Sequence, residues 1–243
     1  MGGTILNAIT VAFGTLAGLF IGKRLTPKIQ ESVITGLGFI TLFAGFDNAG
    51  ATGNVIIPLL SIVIGAIIGE ILDLAGWLER FAGWLQTRFA GGEAADTESR
   101  SRFITGFVTA SLVFCVGPLT FVGSILDGMG QPLGFQQLAI KSVLDMFAGM
   151  AFAASLGIGV SFSIITILVL QGGLALLGSL FGQVMSEPMI NEMTAVGGLL
   201  LIGLGLTLLD VKRPRMANFL PALVIAPLMV VVATALGINV YPL

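Results

Sequence analysis

Apolar residues in this chain come in blocks of about 20, separated by short polar stretches, a length that crosses a hydrocarbon layer as a helix. The blocks cover roughly residues 4–22, 32–47, 55–74, 103–125, 138–157, 161–183, 193–210 and 217–237. They do not alternate apolar with polar, as strands of a membrane β-barrel do. The pattern therefore predicts an all-α polytopic membrane protein with about eight transmembrane helices.

Two stretches break the pattern. Gly76–Phe89 reads GWLERFAGWLQTRF. At helical spacing Trp77, Phe81, Trp84 and Leu85 fall on one face, with Glu79, Arg80, Gln86 and Arg88 turned elsewhere, which predicts an amphipathic helix in the membrane interface. The plain alternative is a connector held at the membrane surface. Gly91–Arg102, GGEAADTESRSR, is a polar linker with no core-forming content.

Composition agrees. The chain is 56% hydrophobic and 10% charged, against about a quarter charged in soluble domains, and its mean hydropathy is +1.03. Most of the 34 glycines lie inside apolar blocks, where they suit close helix packing rather than flexibility. One cysteine and no histidine exclude an internal disulfide, iron–sulfur ligation, histidine-dependent hydrolysis and the usual zinc and haem sites. No metal or cofactor is expected. A net charge of −2 gives no reason to expect a nucleic-acid partner. The start, Met1-Gly2-Gly3-Thr4, lacks the basic region of a signal peptide, so the first block is expected to be a retained helix.

Charge placement sets orientation. With eight spans, Lys23, Arg24 and Lys28, then Arg80, Arg88, Arg100 and Arg102, then Lys212, Arg213 and Arg215 all fall on one side. The positive-inside rule makes that side cytoplasmic and puts both termini outside.

An internal repeat is also legible. Gly18 and Gly22 correspond to Gly178 and Gly182, Pro27, Glu31 and Gly36 to Pro188, Glu192 and Gly197, and Gly38 and Gly45 to Gly198 and Gly205. Span three opens with Asn54 and Pro58, span eight with Asn218 and Pro221. Span one maps to span six, an odd step, so the copies are expected to run in opposite directions, as in many secondary transporters. The expected organisation is one transmembrane domain over 1–243. It divides into a first repeat (4–74), an interfacial helix and cytoplasmic loop (75–102), a central helix pair (103–157) and an inverted second repeat (161–237).

The candidate chemistry sits in the central pair. Phe114-Cys115-Val116-Gly117-Pro118 interrupts span four. Proline removes a backbone hydrogen bond and glycine beside it lets the chain unwind, freeing carbonyls that must find protein, water or an ion. The alternative is a packed proline kink. Lys141 is expected in the first turn of span five, near the headgroups, with Asp145 about 6 Å deeper. An isolated carboxylate there costs roughly 3 kcal/mol, so Asp145 should pair with Lys141 at i,i+4, either as a structural ion pair or as an ion-coupling group. Ser142 and Gln171 are candidates to line the same cavity as the coupling group. Cys115 reads as a small buried residue. Asp127 and Gln131 are expected in the loop joining spans four and five, and Asn7 as a cap or loop residue. The stripe Gly14, Gly18, Gly22 serves packing first and a homodimer second.

Taken together, Phe114-Cys115, Gly123, Asp127-Gly128, Lys141-Ser142 with Leu144-Asp145, Ala154–Ile158 with Val160, Ala195–Gly198 and the last span with Pro221 resemble the bacterial inner-membrane family called domain of unknown function 554. The likeness covers essentially the whole chain, and Lys-Ser-x-Leu-Asp is its most specific element. A glycine–aspartate pair associated with that family between spans four and five stands here as Gly130-Gln131. The resemblance implies a prokaryotic inner-membrane protein and nothing about substrate.

Secondary transport or export of a small solute or ion, coupled through Asp145, is the expected function. The alternatives are a channel-like passive facilitator and an assembly or sensing protein docking partners on the basic loops. An enzyme is not expected, because one deep carboxylate without histidine builds neither a serine–histidine pair nor an aspartyl dyad. The lipid bilayer is the only partner the sequence specifies.

Overall fold

The computed structural model describes residues 1–22, 24–89, 97–115, 118–181 and 185–241, apart from the side chains of Pro118 and Phe181. Among them every regular element is helical: α1 (Gly2–Gly22), α2 (Pro27–Ala49), α3 (Ile56–Ile71), α4 (Leu74–Phe89), α5 (Thr97–Cys115), α6 (Pro118–Gly128), α7 (Pro132–Leu156), α8 (Ser163–Phe181), α9 (Glu187–Leu208) and α10 (Ala222–Ala235). Short 3₁₀ turns, Ile158–Phe162 and Met216–Phe219, precede α8 and α10. Among the described residues six helical stretches are long and apolar enough to span a membrane, or up to eight if each of two bent pairs counts as one span. Their large apolar side chains face outward, Phe13 at 73% and Phe20 at 77% exposure among them, as a lipid-facing surface requires.

Local chemistry sets several boundaries. Proline occupies the first turn of α2, α6, α7 and α9, where its missing N–H costs nothing. The Thr26 hydroxyl accepts from Ile29 N at the start of α2. Gly157, at φ 83°, ends α7 in a conformation that suits glycine. Asp73, at φ 49°, makes the turn between α3 and α4.

The chain forms two compact units. In the first, α1 and α7 lie parallel along a glycine seam. A Cβ on Gly14, Gly18 or Gly22 would collide with the carbonyls of Met146, Met150 and Ala154 in turn, so both helices advance four residues per contact. This backbone approach is what small-xxx-small stripes permit. The stripe thereby packs inside the chain, against α7. Helix α5 runs beside α8, joined by a 2.9 Å hydrogen bond between the Ser111 and Thr166 hydroxyls. The axes of Thr97–Cys115 and Leu119–Gly128 are inclined by 65°, so the expected fourth span is broken. Val116 and Gly117 lie outside the described residues.

Helix α4 occupies the expected interfacial segment, but its faces divide differently. Leu85 is 1% exposed and packs with Ala82 against Phe103 and Phe107 of α5. Trp77 and Trp84 face outward and Gln86 is buried. Leu85 is one residue, about 100° of helix, from Trp84. The small Ala82 admits α5 on that side, leaving both tryptophans exposed.

In the second unit, residues 38–49 of α2 pack antiparallel against α9. A Cβ on Gly38 would lie 2.8 Å from Leu209, one on Gly45 2.8 Å from Ile202, and one on Gly205 2.7 Å from Leu42. A Cβ on Gly198 would collide with Ala49. Helix α3 packs through Gly65 against Ala222 of α10 and through Gly69 against Asn218 of the 3₁₀ turn before it. Asn218 Oδ1 accepts from Ala75 N at 2.6 Å, and Asn54 Nδ2 donates to Val240 O at 2.9 Å. Glu192, fully buried, accepts from Thr52 Oγ1 at 2.8 Å, Gly53 N at 3.0 Å and Asn54 N at 3.3 Å. The carboxylate thus closes the α2–α3 loop against α9.

Candidate functional site

Helix α7 begins at Pro132 rather than near 138, because Pro132 fits the first helical turn and Gln131 supplies an extended residue before it. Lys141 is therefore not in the first turn. It stands nine residues on, about 14 Å along the helix, and is 5% exposed. Reaching the headgroups is excluded by that burial. Lys141 Nζ instead donates to Asp145 Oδ2, one turn on.

Asp145 is 6% exposed, and the same Oδ2 accepts from Asn7 Nδ2 of α1 at 3.0 Å. Asn7, expected as a cap or loop residue, is thus a fully buried partner of the pair. The parallel seam explains it: Gly3 sits against Leu138 and Gly14 against Met146, which brings Asn7 level with Lys141–Asp145. Only that register, not its own neighbours in sequence, assigns Asn7 to the site.

The remaining candidates fall around this triad unequally. Ser142 is buried, and its hydroxyl donates back to Leu138 O at 2.7 Å, so its proton is committed to its own helix while its oxygen can still accept. Cys115 is buried at the end of α5. Next to it, Phe114 approaches to 3.5 Å the position a Cβ on Gly149 would take, one turn from Asp145. Pro118 opens α6, and Gly117 lies outside the described residues. Gln171 is fully buried on α8, five residues beyond Thr166, and neither end of its amide has a hydrogen-bond partner among the described residues. No hydrogen bond joins it to the triad.

Unpartnered polar atoms are concentrated in this unit. Thr4 Oγ1 and Asn7 Oδ1 on α1, Ser124 Oγ on α6 and Gln137 Oε1 on α7 are buried without partners among the described residues. Thr4 and Asn7 share a face of α1, and Gln137 and Lys141 share one of α7. Gln137 also lies beside Gly123 of α6, at 3.4 Å from the position of a Cβ there. Buried polar atoms without protein partners are places where water or an ion is expected. Asp127, expected in a loop, is instead in the last turn of α6, buried, with its carboxylate accepting from Gly3 N at 3.0 Å. Among the described residues no group of three or more cysteine, aspartate or glutamate side chains is arranged to hold a metal ion.

A buried ion pair inside a bundle of apolar helices, with aromatic and aliphatic side chains facing outward, defines an integral membrane protein. The chain belongs to the family described as "Protein of unknown function (DUF554)", whose model matches residues 2–231. It is similar to the uncharacterized protein YqgA of Escherichia coli strain K12, at 32% identity over 225 residues, 92% of this chain and 94% of that protein. It is also similar to the uncharacterized membrane protein YdfK of Bacillus subtilis strain 168, at 26% identity over 243 residues, 98% of this chain and all of that protein. No solved structure matches the chain.

Proposed function

We propose that this protein is a secondary transporter or exporter of a small solute or ion in the bacterial cytoplasmic membrane, coupled through Asp145. The observation that carries the reading is the triad Asn7–Lys141–Asp145, buried among unpartnered polar atoms. Ionisable groups inside membrane helices are costly and concentrate on ion and proton paths. Protonation of Asp145, or its replacement at Lys141 by a substrate anion, opens the pair and gives a two-state element for coupling.

The second unit adds support through its symmetry. A step of 160 residues carries Gly38 to Gly198 and Ala49 to Leu209, and the contacts Gly38–Leu209 and Gly198–Ala49 exchange under it. It also carries Gly45 to Gly205 and Leu42 to Ile202, and the contacts Gly45–Ile202 and Gly205–Leu42 exchange likewise. Contacts that swap partners in this way belong to a local two-fold. Asn54 and Asn218 each open one span and bind the chain just beyond the end of the other. Any antiparallel helix pair exchanges contacts in this way; what favours an inverted-topology repeat is that the exchanging positions are the glycines that match in sequence. In that arrangement the basic loops are cytoplasmic and both termini are outside.

The test is flux in proteoliposomes under imposed proton and sodium gradients, beginning with a panel of small organic anions and metal cations. Saturable flux that follows a gradient and loses that dependence in Asp145→Asn is the expected outcome. Flux indifferent to every gradient, unchanged by Asp145→Asn, replaces the proposal with a passive facilitator.

A further inference from the structure

A cavity of about 550 Å³ opens in the first unit where α1 and α7 end, beyond the glycine seam from Asp145. Its polar lining is Gln30, Gln86, Ser99 and Arg102, and its apolar lining includes Leu19, Phe103 and Ile158. Cavities of this size hold small organic ligands.

Its chemistry is one-signed. Arg102 is the charged residue among the described lining residues, and no aspartate or glutamate joins it. Arg102 Nη2 donates to Gln30 Oε1 at 3.0 Å and to Ser155 O at 2.7 Å. Gln30 Nε2 in turn donates to Gly22 O at 3.2 Å and Leu25 O at 3.4 Å. Gln30 thus fixes the α1–α2 turn and presents its carbonyl to the guanidinium. That holds the Arg102 fork in place beside the cavity, at low further entropic cost to a ligand. A guanidinium has five N–H donors in a planar fork matched to carboxylate and phosphate. Arg24 and Lys28 flank the same turn and Arg100 precedes Arg102 on α5, and these cations outnumber Glu31 and Glu98 on the same segments, so the field at this end draws anions.

We propose that this cavity binds the carboxylate or phosphate group of an anion through Arg102, with the apolar wall receiving the attached carbon chain. The two sources of that chemistry are a small organic acid in solution and an anionic lipid headgroup. Combined with the transport reading, on which this consequence rests, a solute bound here occupies the vestibule at one end of the seam whose other end holds Asp145.

The experiment measures binding without transport. Purified full-length protein in detergent is titrated with butyrate and with inorganic phosphate by calorimetry. In parallel its thermal unfolding is compared in nanodiscs of phosphatidylcholine with and without phosphatidylglycerol. Arg102→Gln removes the fork. Ser99→Asp keeps Arg102, puts a carboxylate at the mouth three residues before it on α5, where it competes with a ligand anion for the guanidinium, and suits the first turn of α5, so it is expected to fold even if Arg102→Gln does not. Saturable binding of butyrate or phosphate, weakened about tenfold or more by Ser99→Asp, supports the site with a solute as ligand. Stabilisation by phosphatidylglycerol alone, lost in Ser99→Asp, supports it with a lipid as ligand. Wild type and Ser99→Asp responding alike to every probe overturns it. Anion binding without flux keeps this site and removes the transporter, whereas coupled flux unaffected by both variants does the reverse.

Discussion

Asn7 of α1 and Asp145 of α7 share a 3.0 Å hydrogen bond across a seam in which both residues are buried. The bond and the Lys141 contact converge on one carboxylate oxygen. Helix α1 is thereby tied to α7 by this bond and by glycine packing on either side of it, at Gly3 and from Gly14 to Gly22.

That convergence predicts non-additive energetics. Removing one member leaves the other charge buried without its partner, which costs about 3–5 kcal/mol in comparable buried pairs. Lys141→Met and Asp145→Leu should each destabilise strongly, and the double variant should be more stable than either single one. Thermal unfolding of the four proteins in detergent closes the cycle. Additive losses mean that the pair does not act as a unit.

Glycine substitution should separate two kinds of site. Gly18→Ala places a Cβ against the Met150 carbonyl, and Gly14→Ala against that of Met146. Backbone cannot yield as a side-chain tip does, so each is expected to lose about 1–3 kcal/mol. Gly36→Ala and Gly172→Ala meet nothing within 4 Å and should be neutral or mildly stabilising through helix propensity. The midpoint of thermal unfolding reads both sets, and equal losses across all four would contradict the seam.

Glu192→Gln should loosen the α2–α3 loop. The carboxylate takes three donors, from Thr52, Gly53 and Asn54. An amide offers one oxygen to accept and sets an N–H₂ against the others, at a cost of about 1–3 kcal/mol. Faster hydrogen exchange or proteolysis confined to residues 50–55 is the expected readout. Unchanged protection there would mean that the loop is held by other contacts.

Tyr241 gives a pH test, because it is the one tyrosine in the chain. Burial, then the negative charge of Glu192, raises its phenol above the ordinary value of 10.0. Its hydroxyl donates to Pro188 O at 3.4 Å. A raised folded-state value means that any stability this group contributes is intact below pH 10 and declines as pH climbs through the folded-state value. Ultraviolet titration of the phenolate should therefore give a midpoint above that of free tyrosine, moving down in Glu192→Gln. A midpoint at the free value would remove Tyr241 from the Glu192 cluster.

The sequence by itself determined the class of protein, the approximate place of the long apolar helices, the helical segment 76–89 and the Lys141–Asp145 pairing. Each of these depends on spacing along one helix or on the apolar length that a bilayer demands, and both are local properties. It also displayed the glycines of the seam, because close backbone approach admits few other residues. The tertiary structure alone decided what those glycines face, and hence that Asn7 lies against Asp145 and that Gln30, Gln86 and Arg102 meet around one cavity. It likewise decided that Leu85 rather than Trp84 packs against α5. Those outcomes depend on the register between helices far apart in the chain, which neighbouring residues do not encode.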